Sequence, residues 1–280
     1  MRIGAHVRTP GGILSAVESA RLIGAEAVQL FASNPRAWAP PRLRDDVVER
    51  FRETVAEAGI GPVYVHAPYL VNIASPNPEF HRKSIDLTRA SMAACVELGA
   101  AGLVVHAGSG GRGEPEEGRL RAAAALSEVL READGSALVV ELMAGGSGAV
   151  ASTFLEASRL FAEVEARAKL RLCADTCHLF VAGYGLDREE GVRTCFAELR
   201  RAGLARTLVL VHANDAAFPR GSRRDRHTNI GAGHIGPHGF AAILADPAVR
   251  RCAVLCETPG EPEVRRRDLD MLRTLASRAA

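Results

Sequence analysis

The chain has 280 residues, of which 47% are hydrophobic and 24% are charged, a composition typical of a folded globular protein. It contains no apolar run of about 20 residues and no hydrophobic leader, so we expect a cytoplasmic protein that does not enter a membrane. The formal net charge of +2 neither predicts nor excludes a polyanionic partner such as a nucleic acid.

Strand-like and helix-like segments alternate from one end of the chain to the other. Patterns typical of strands cover residues 2–7, 27–31, 62–66, 102–106, 137–142, 170–175, 207–212 and 252–257. Helical periodicity covers residues 14–23, 47–58, 80–98, 120–133, 153–168, 192–202, 240–244 and 264–276. These eight βα units, without a linker between them, predict an α/β fold: a single (β/α)8 TIM barrel, one domain over residues 1–280.

Side chains that can bind a metal stand at the carboxyl ends of six consecutive predicted strands. The third to eighth strands end, in order, at or next to His66, His106, Glu141, Asp175, His212 and Glu257. A core histidine or a helix-capping carboxylate is the simpler interpretation of any one of them. Because the carboxyl ends of all barrel strands meet at one mouth, six in succession instead predict a metal site there.

The segment after the seventh predicted strand, residues 214–237, is longer than the usual βα loop of about 2–6 residues. It carries Asp225 and His227, two further residues of the metal-binding type. His178, in the loop predicted after the sixth strand, adds another imidazole. The resulting five histidines and four carboxylates are more than one metal ion can use.

The cysteines offer an alternative set of metal ligands. The six are Cys95, Cys173, Cys177, Cys195, Cys252 and Cys256. Most lie within apolar patterns, so we expect buried free thiols. Cys173 and Cys177 flank Asp175, and a thiolate ligand at this point is the alternative.

Ten short blocks contain these residues and their neighbours. They are Ile3–Val7 (IGAHV), Asn34–Trp38 (NPRAW), His66–Asn72 (HAPYLVN), Val105–Ser109 (VHAGS), Val140–Glu141, Asp175–His178 (DTCH), His212–Asp215 (HAND), Asp225–His227 (DRH), Gly231–Gly236 (GAGHIG) and Glu257–Pro259 (ETP). In this order they resemble the endonuclease IV family of apurinic/apyrimidinic endonucleases over nearly the full chain. The succession of DTCH, HAND and DRH is the most specific part of the resemblance.

The resemblance implies an enzyme of the deoxyribonuclease IV type, which hydrolyses the phosphodiester 5′ to an abasic site in duplex DNA and trims 3′ ends. It implies three zinc ions per chain, with manganese as an alternative at one or more sites. The implied ligands are His66 and His106 for the first metal, with Glu141 as its catalytic bridge to the second; Asp175, His212 and Glu257 for the second; and His178, Asp225 and His227 for the third.

The resemblance also implies a partner, duplex DNA containing abasic sites. Arg36, Tyr69 and Leu70 correspond to side chains that distort the DNA, and plain packing within their loops is the alternative interpretation. No membrane contact and no obligate protein partner are expected, and we predict a monomer. The chain departs from the family at Leu142, Thr228 and Ala232, so the partly loop-borne third metal is expected to be the most easily lost.

Two other functions are compatible with parts of the pattern. Glu141, Asp175, His212 and Glu257 also resemble the metal ligands of sugar isomerases and epimerases of the xylose-isomerase-like kind. Those enzymes need no third metal, so the Asp225–His227 segment distinguishes the two classes. A module that binds damaged DNA through a degenerate site is the other possibility, and the complete ligand set argues against it.

Overall fold

The computed structural model describes residues 1–132 and 135–278, and its centre is a closed barrel of parallel strands. The strands are β1 (Arg2–His6), β2 (Val28–Leu30), β3 (Val63–His66), β4 (Gly102–His106), β5 (Ala137–Glu141), β6 (Leu170–Asp175), β7 (Leu208–His212), β8 (Asp215–Ala216), β9 (His227–Thr228) and β10 (Ala253–Cys256). Eight of them close the barrel in the order β1-β10-β7-β6-β5-β4-β3-β2, while β8 and β9 form a small antiparallel pair. The predicted TIM barrel is confirmed.

Helices fill the connections between the barrel strands. They are α1 (Ser15–Ile23), α2 (Asp45–Glu57), α3 (Pro78–Glu97), α4 (Pro115–Glu132), α5 (Phe154–Ala162), α6 (Thr176–Ala182), α7 (Glu189–Arg201), α8 (Gly236–Ala245) and α9 (Pro262–Arg278). Ala133, the predicted last residue of the fourth helix, lies outside the described residues. Among the helices described, none is long and apolar enough to cross a membrane.

Two apolar layers support the strands. A small cluster that includes Ala27, Tyr64, Val104, Val139 and Leu210 forms one layer, and a much larger core includes the apolar faces of the helices. Close approach of β1 to Ala27 requires a glycine at position 4, because a Cβ there would lie 1.7 Å from the Ala27 carbonyl oxygen.

Strand register brings the predicted site residues to one level of the barrel. His106 pairs with Glu141 across β4 and β5, and Asp175 pairs with His212 across β6 and β7. A register irregularity between Leu172 and Cys173 precedes the second of these pairs. Since side chains in register on neighbouring parallel strands point to the same side, these four residues project together at the carboxyl ends of their strands.

Candidate metal centre

The nine predicted ligands lie in three groups around Glu141. Within each group the candidate donor atoms lie within 4.8 Å of one another. The groups are His66, His106 and Glu141; Glu141, Asp175, His212 and Glu257; and His178, Asp225 and His227. Glu141 is 1% exposed and belongs to the first two groups.

Glu141 presents one carboxylate oxygen to each of its groups. Its Oε2 lies 3.3 Å from His66 Nε2 and 3.4 Å from His106 Nε2. Its Oε1 lies 3.1 Å from His212 Nδ1. A carboxylate that faces two sets of ligands in this way has the geometry of a bridge.

The second group is the most deeply buried. Asp175 and His212 are fully buried, beneath the more accessible Glu257. His212 Nδ1 lies 3.4 Å from Glu257 Oε2 and 4.0 Å from Asp175 Oδ2. Ionised carboxylates only accept hydrogen bonds, so these oxygens favour a positive charge beside them, and a proton on His212 supplies one in the metal-free protein.

The third group is formed by α6 together with the segment between β7 and β10. Asp225 Oδ2 lies 3.1 Å from His178 Nε2, and Asp225 Oδ1 lies 3.2 Å from His227 Nε2. His227 Nε2 is buried and lies 3.2 Å from Asp225 Oδ1 and 3.5 Å from Asp175 Oδ2, but neither contact has the alignment of a hydrogen bond. Buried polar atoms are nearly always paired, so this nitrogen fits a metal-binding position.

The segment after β6 is a helix, although its sequence predicted a loop. Asp175 is the N-cap of α6, and its Oδ1 accepts a hydrogen bond from the His178 backbone N–H at 2.9 Å. Its Oδ2 accepts from Asn214 Nδ2 at 2.6 Å and faces the second and third groups. The capping role and the candidate ligand role of Asp175 therefore coexist, because each uses a different oxygen.

Backbone carbonyls fix the orientation of two imidazoles. His66 Nδ1–H donates to the Ala67 carbonyl at 2.6 Å, and His178 Nδ1–H donates to the Leu142 carbonyl at 2.8 Å. A carbonyl oxygen can only accept, so Nδ1 of each ring carries a hydrogen and Nε2 is the nitrogen left to bind a metal. Leu142, one of the residues at which this chain departs from the family pattern, thus helps to orient His178 through its main-chain carbonyl.

Opposite charges strongly shift the ionisation of these groups in the metal-free protein. Burial raises the pKa of Glu141, but His212 and His106 together hold it well below its usual value. Burial lowers the pKa of His227, but Asp175 and Asp225 raise it to about 9. Protons therefore occupy the positions for which a metal would compete.

The cysteine alternative has less chemical support. All six cysteines are free and buried, as predicted. Cys173 and Cys177 each come within reach of a candidate ligand group. Burial, however, raises the pKa of Cys173 to about 12 and raises that of Cys177 as well, so both are neutral thiols near neutral pH.

Three residues outside the predicted ligand set form hydrogen bonds with candidate ligands. Asn214, whose amide binds Asp175, also accepts the Glu257 backbone N–H at 2.7 Å. His6 Nδ1–H and Gln29 Nε2 both donate to Glu257 Oε1, at 2.9 and 2.8 Å. His6 and Asn214 lie in the IGAHV and HAND blocks, but Gln29 lies in none of the blocks and was missed entirely.

Asp215 organises the segment that carries the third group. Fully buried, its carboxylate accepts hydrogen bonds from five main-chain N–H groups, those of Ala216, Gly231, Gly233, Ile235 and Gly236. Its strand β8 also pairs with β9, the strand that carries His227. The third group is thus held more firmly than a free loop would hold it.

We expect Asp215→Ala to lower the free energy of unfolding of the metal-free protein by roughly 3 kcal/mol or more, because several buried N–H donors lose their acceptor. Urea denaturation measures this change. Asp270→Ala, which removes an exposed carboxylate paired with Arg273, is the control and should change stability by no more than about 0.5 kcal/mol. A loss below about 1 kcal/mol at Asp215 would mean that water replaces these bonds.

Seven of the candidate ligands line a cavity of about 900 Å³ at the barrel mouth. Arg36 and Tyr69 line the same cavity, as do Arg8, Arg226 and Arg265. Tyr69 is 59% exposed, its ring centroid lies 5.0 Å from that of Phe31, and its N–H donates to the Pro35 carbonyl. Leu70, the third predicted DNA contact, is 36% exposed beside Tyr69 but is not among the residues that line the cavity.

Comparison with known proteins identifies several similar chains. A family model described as a xylose isomerase-like TIM barrel matches residues 17–275. A protein of Methanoculleus marisnigri named "Probable endonuclease 4" is 39% identical over 92% of this chain and 92% of its own length. One of the same name from Streptomyces coelicolor is 38% identical over 98% and 94%.

Solved structures show the same similarity. Endonuclease IV from Thermus thermophilus aligns with a TM-score of 0.88 and 33% identity, over 99% of this chain and 100% of that one. A D-tagatose 3-epimerase-like protein aligns over the full length of both chains with a TM-score of 0.74 but only 18% identity. At that identity the second similarity shows a shared fold alone.

Proposed function

Since this chain belongs to the endonuclease IV family, we propose that it is a metal-dependent DNA repair endonuclease that cleaves duplex DNA 5′ to abasic sites and trims 3′ ends. The observation that carries the proposal is the third group, in which the buried His227 Nε2 converges with Asp225 and His178. The Glu141, Asp175, His212 and Glu257 quartet would also suit a sugar isomerase or epimerase. Such an enzyme would not need the third group.

We infer that three zinc ions are held by the nine residues of the three groups, with manganese possible at one or more positions. Histidine and carboxylate donors suit both metals. When bound, zinc supplies Lewis acidity, which polarises phosphoryl oxygens and lowers the pKa of water. The convergence of the donor atoms, the fixed orientations of His66 and His178, and the buried Nε2 of His227 support this assignment.

The side chains would prepare the site before DNA arrives. Glu141 would hold the first two groups at a fixed separation, since its two oxygens face different histidines. Asn214 and the α6 N-terminus would hold Asp175 rigid. Such preorganised charge stabilises a phosphoryl transition state without reorganisation during the reaction, the largest contribution in many enzymes.

Selectivity for abasic sites would come from the shape of the mouth. A nucleotide without a base costs little to rotate out of the stack, so a closely fitting cavity admits it and rejects intact nucleotides. Tyr69 and Leu70 would fill the gap left in the duplex, with Arg36 beside them. Their exposure at the rim supports this role, because a buried side chain could not enter DNA.

Tyr69→Ala is expected to reduce discrimination between abasic and intact duplex by about tenfold or more, since base-sized aromatic stacking contributes roughly 1–3 kcal/mol. Binding to the two duplexes, measured by fluorescence anisotropy, gives the ratio, and elemental analysis should show unchanged metal content. Tyr69→Phe retains the ring and should behave like the wild type. If metal content falls in step with binding in Tyr69→Ala, the residue is structural.

Metal content combined with cleavage of a single-lesion duplex tests the function. We expect about three zinc equivalents per chain and cleavage on the 5′ side of the lesion, with no cleavage of the matched intact duplex. A degenerate binding module would retain the abasic duplex without cutting it. Turnover of sugars by a protein that holds fewer metals would favour the isomerase alternative.

A further inference from the structure

Gln29 occupies an unusual place for an amide. It lies in the middle of β2, fully buried, and is paired in register with His6 on β1 and with Tyr64 on β3. Burial of an amide is costly unless both of its ends form hydrogen bonds. In Gln29 both ends contact candidate ligands of the second metal.

The neighbours of Gln29 fix which way its amide points. The NH2 group lies 2.8 Å from Glu257 Oε1, and the carbonyl Oε1 lies 3.0 Å from His212 Nε2. An ionised carboxylate cannot donate, so the NH2 group must face Glu257. The amide oxygen is then the group that meets the His212 ring.

This orientation determines where the His212 proton lies. Because the Gln29 oxygen only accepts, His212 Nε2 must carry a hydrogen and donate it. His212 Nδ1 is then the nitrogen left to bind a metal, and it faces Glu141 Oε1 at 3.1 Å and Glu257 Oε2 at 3.4 Å. One amide thus orients two ligands on different strands.

We propose that Gln29 is a positioning residue for the second metal, which fixes the His212 tautomer and holds Glu257 with Oε2 directed at the site. The inference depends on the proposed metal-dependent function. His6, which donates to the same Glu257 oxygen, supports the carboxylate but does not reach His212 through any hydrogen bond found in the described residues. Gln29 is therefore the residue that couples the two ligands.

Zinc binding, measured without DNA, tests this role. Gln29→Met has a similar length and no hydrogen-bonding group, so one zinc equivalent should bind about 10–100-fold more weakly, the usual effect of losing a group that orients a ligand. At a buffered free zinc concentration that just saturates the wild type, the variant should hold one equivalent fewer. Gln29→Asn keeps an amide but is too short to reach both partners, so it should show the same loss if Gln29→Met fails to fold.

A double variant distinguishes the affected position from the third one. His227→Ala removes a ligand of the third metal, so Gln29→Met/His227→Ala should lose two equivalents if Gln29 acts at a position other than the third. In the zinc-loaded wild type, histidine-selective 15N NMR should show a slowly exchanging Nε2–H of His212, which Gln29→Met should lose. Tyr64→Phe is the control, because it removes a buried hydroxyl at the neighbouring register position whose hydrogen bond goes to the Val209 carbonyl.

Two results would overturn the proposal. One is unchanged affinity for all zinc equivalents in both Gln29 variants. The other is a parallel loss of every equivalent together with a lower melting temperature of the metal-free protein, which would make Gln29 a structural residue. A wild type that binds zinc but does not cut abasic DNA would contradict the proposed function and leave this zinc-binding result unaffected.

Discussion

Glu141→Gln is expected to lower cleavage of abasic DNA by several orders of magnitude while leaving the fold intact. The amide has one neutral oxygen where the carboxylate presents two charged ones, so the bridge between His66 and His106 on one side and His212 on the other is lost. Loss of a single preorganised electrostatic contact commonly costs about 10²–10³ in rate, and here two of the proposed metal positions would be affected at once.

Single-turnover cleavage of a labelled abasic duplex measures this loss, and circular dichroism checks the fold. Glu117→Gln is the matched control, because it makes the same chemical change at an exposed position paired with Arg121. It should cleave like the wild type. Retention of more than about a tenth of wild-type activity by Glu141→Gln would contradict the bridging role.

His227→Ala is expected to remove about one zinc equivalent and to lower cleavage by about 100-fold or more, since both the ligand and its charge stabilisation are lost. Mild chelation of the wild type should produce the same state, because all three residues of the third group lie outside the barrel strands. Asp225 is half exposed, whereas Asp175 and His212 are fully buried. A chelator should therefore remove the third metal first.

Zinc stoichiometry followed through a chelator titration, with cleavage assayed at each point, tests this order of loss. Added zinc should restore activity to the chelated wild type and leave His227→Ala inactive. His234→Ala removes an exposed imidazole from the same segment and should retain full activity and metal content. Full-rate cleavage by His227→Ala would make the third position dispensable and would favour the two-metal isomerase alternative.

The sequence by itself determined the barrel and the candidate ligands, for a physical reason. Strand periodicity is a local pattern, and parallel strands in a barrel must bring their carboxyl ends to one mouth. Residues at successive strand ends, such as His66, His106 and Glu141, were therefore predictable neighbours although they lie far apart in the chain. The family blocks supplied the rest of the set, including His178 and Asp225.

Only the tertiary structure decided how those residues are held. Gln29 reaches Glu257 across 228 positions because β1 joins β10 and closes the barrel, and no local pattern records that contact. The Leu142 carbonyl orients His178 through the main chain, which every residue type possesses, so the side chain gives no signal of it. The sequence around Asp175 predicted a strand end followed by a loop. In the structure Asp175 caps the N-terminus of α6, so one carboxylate both caps the helix and faces the candidate metal site.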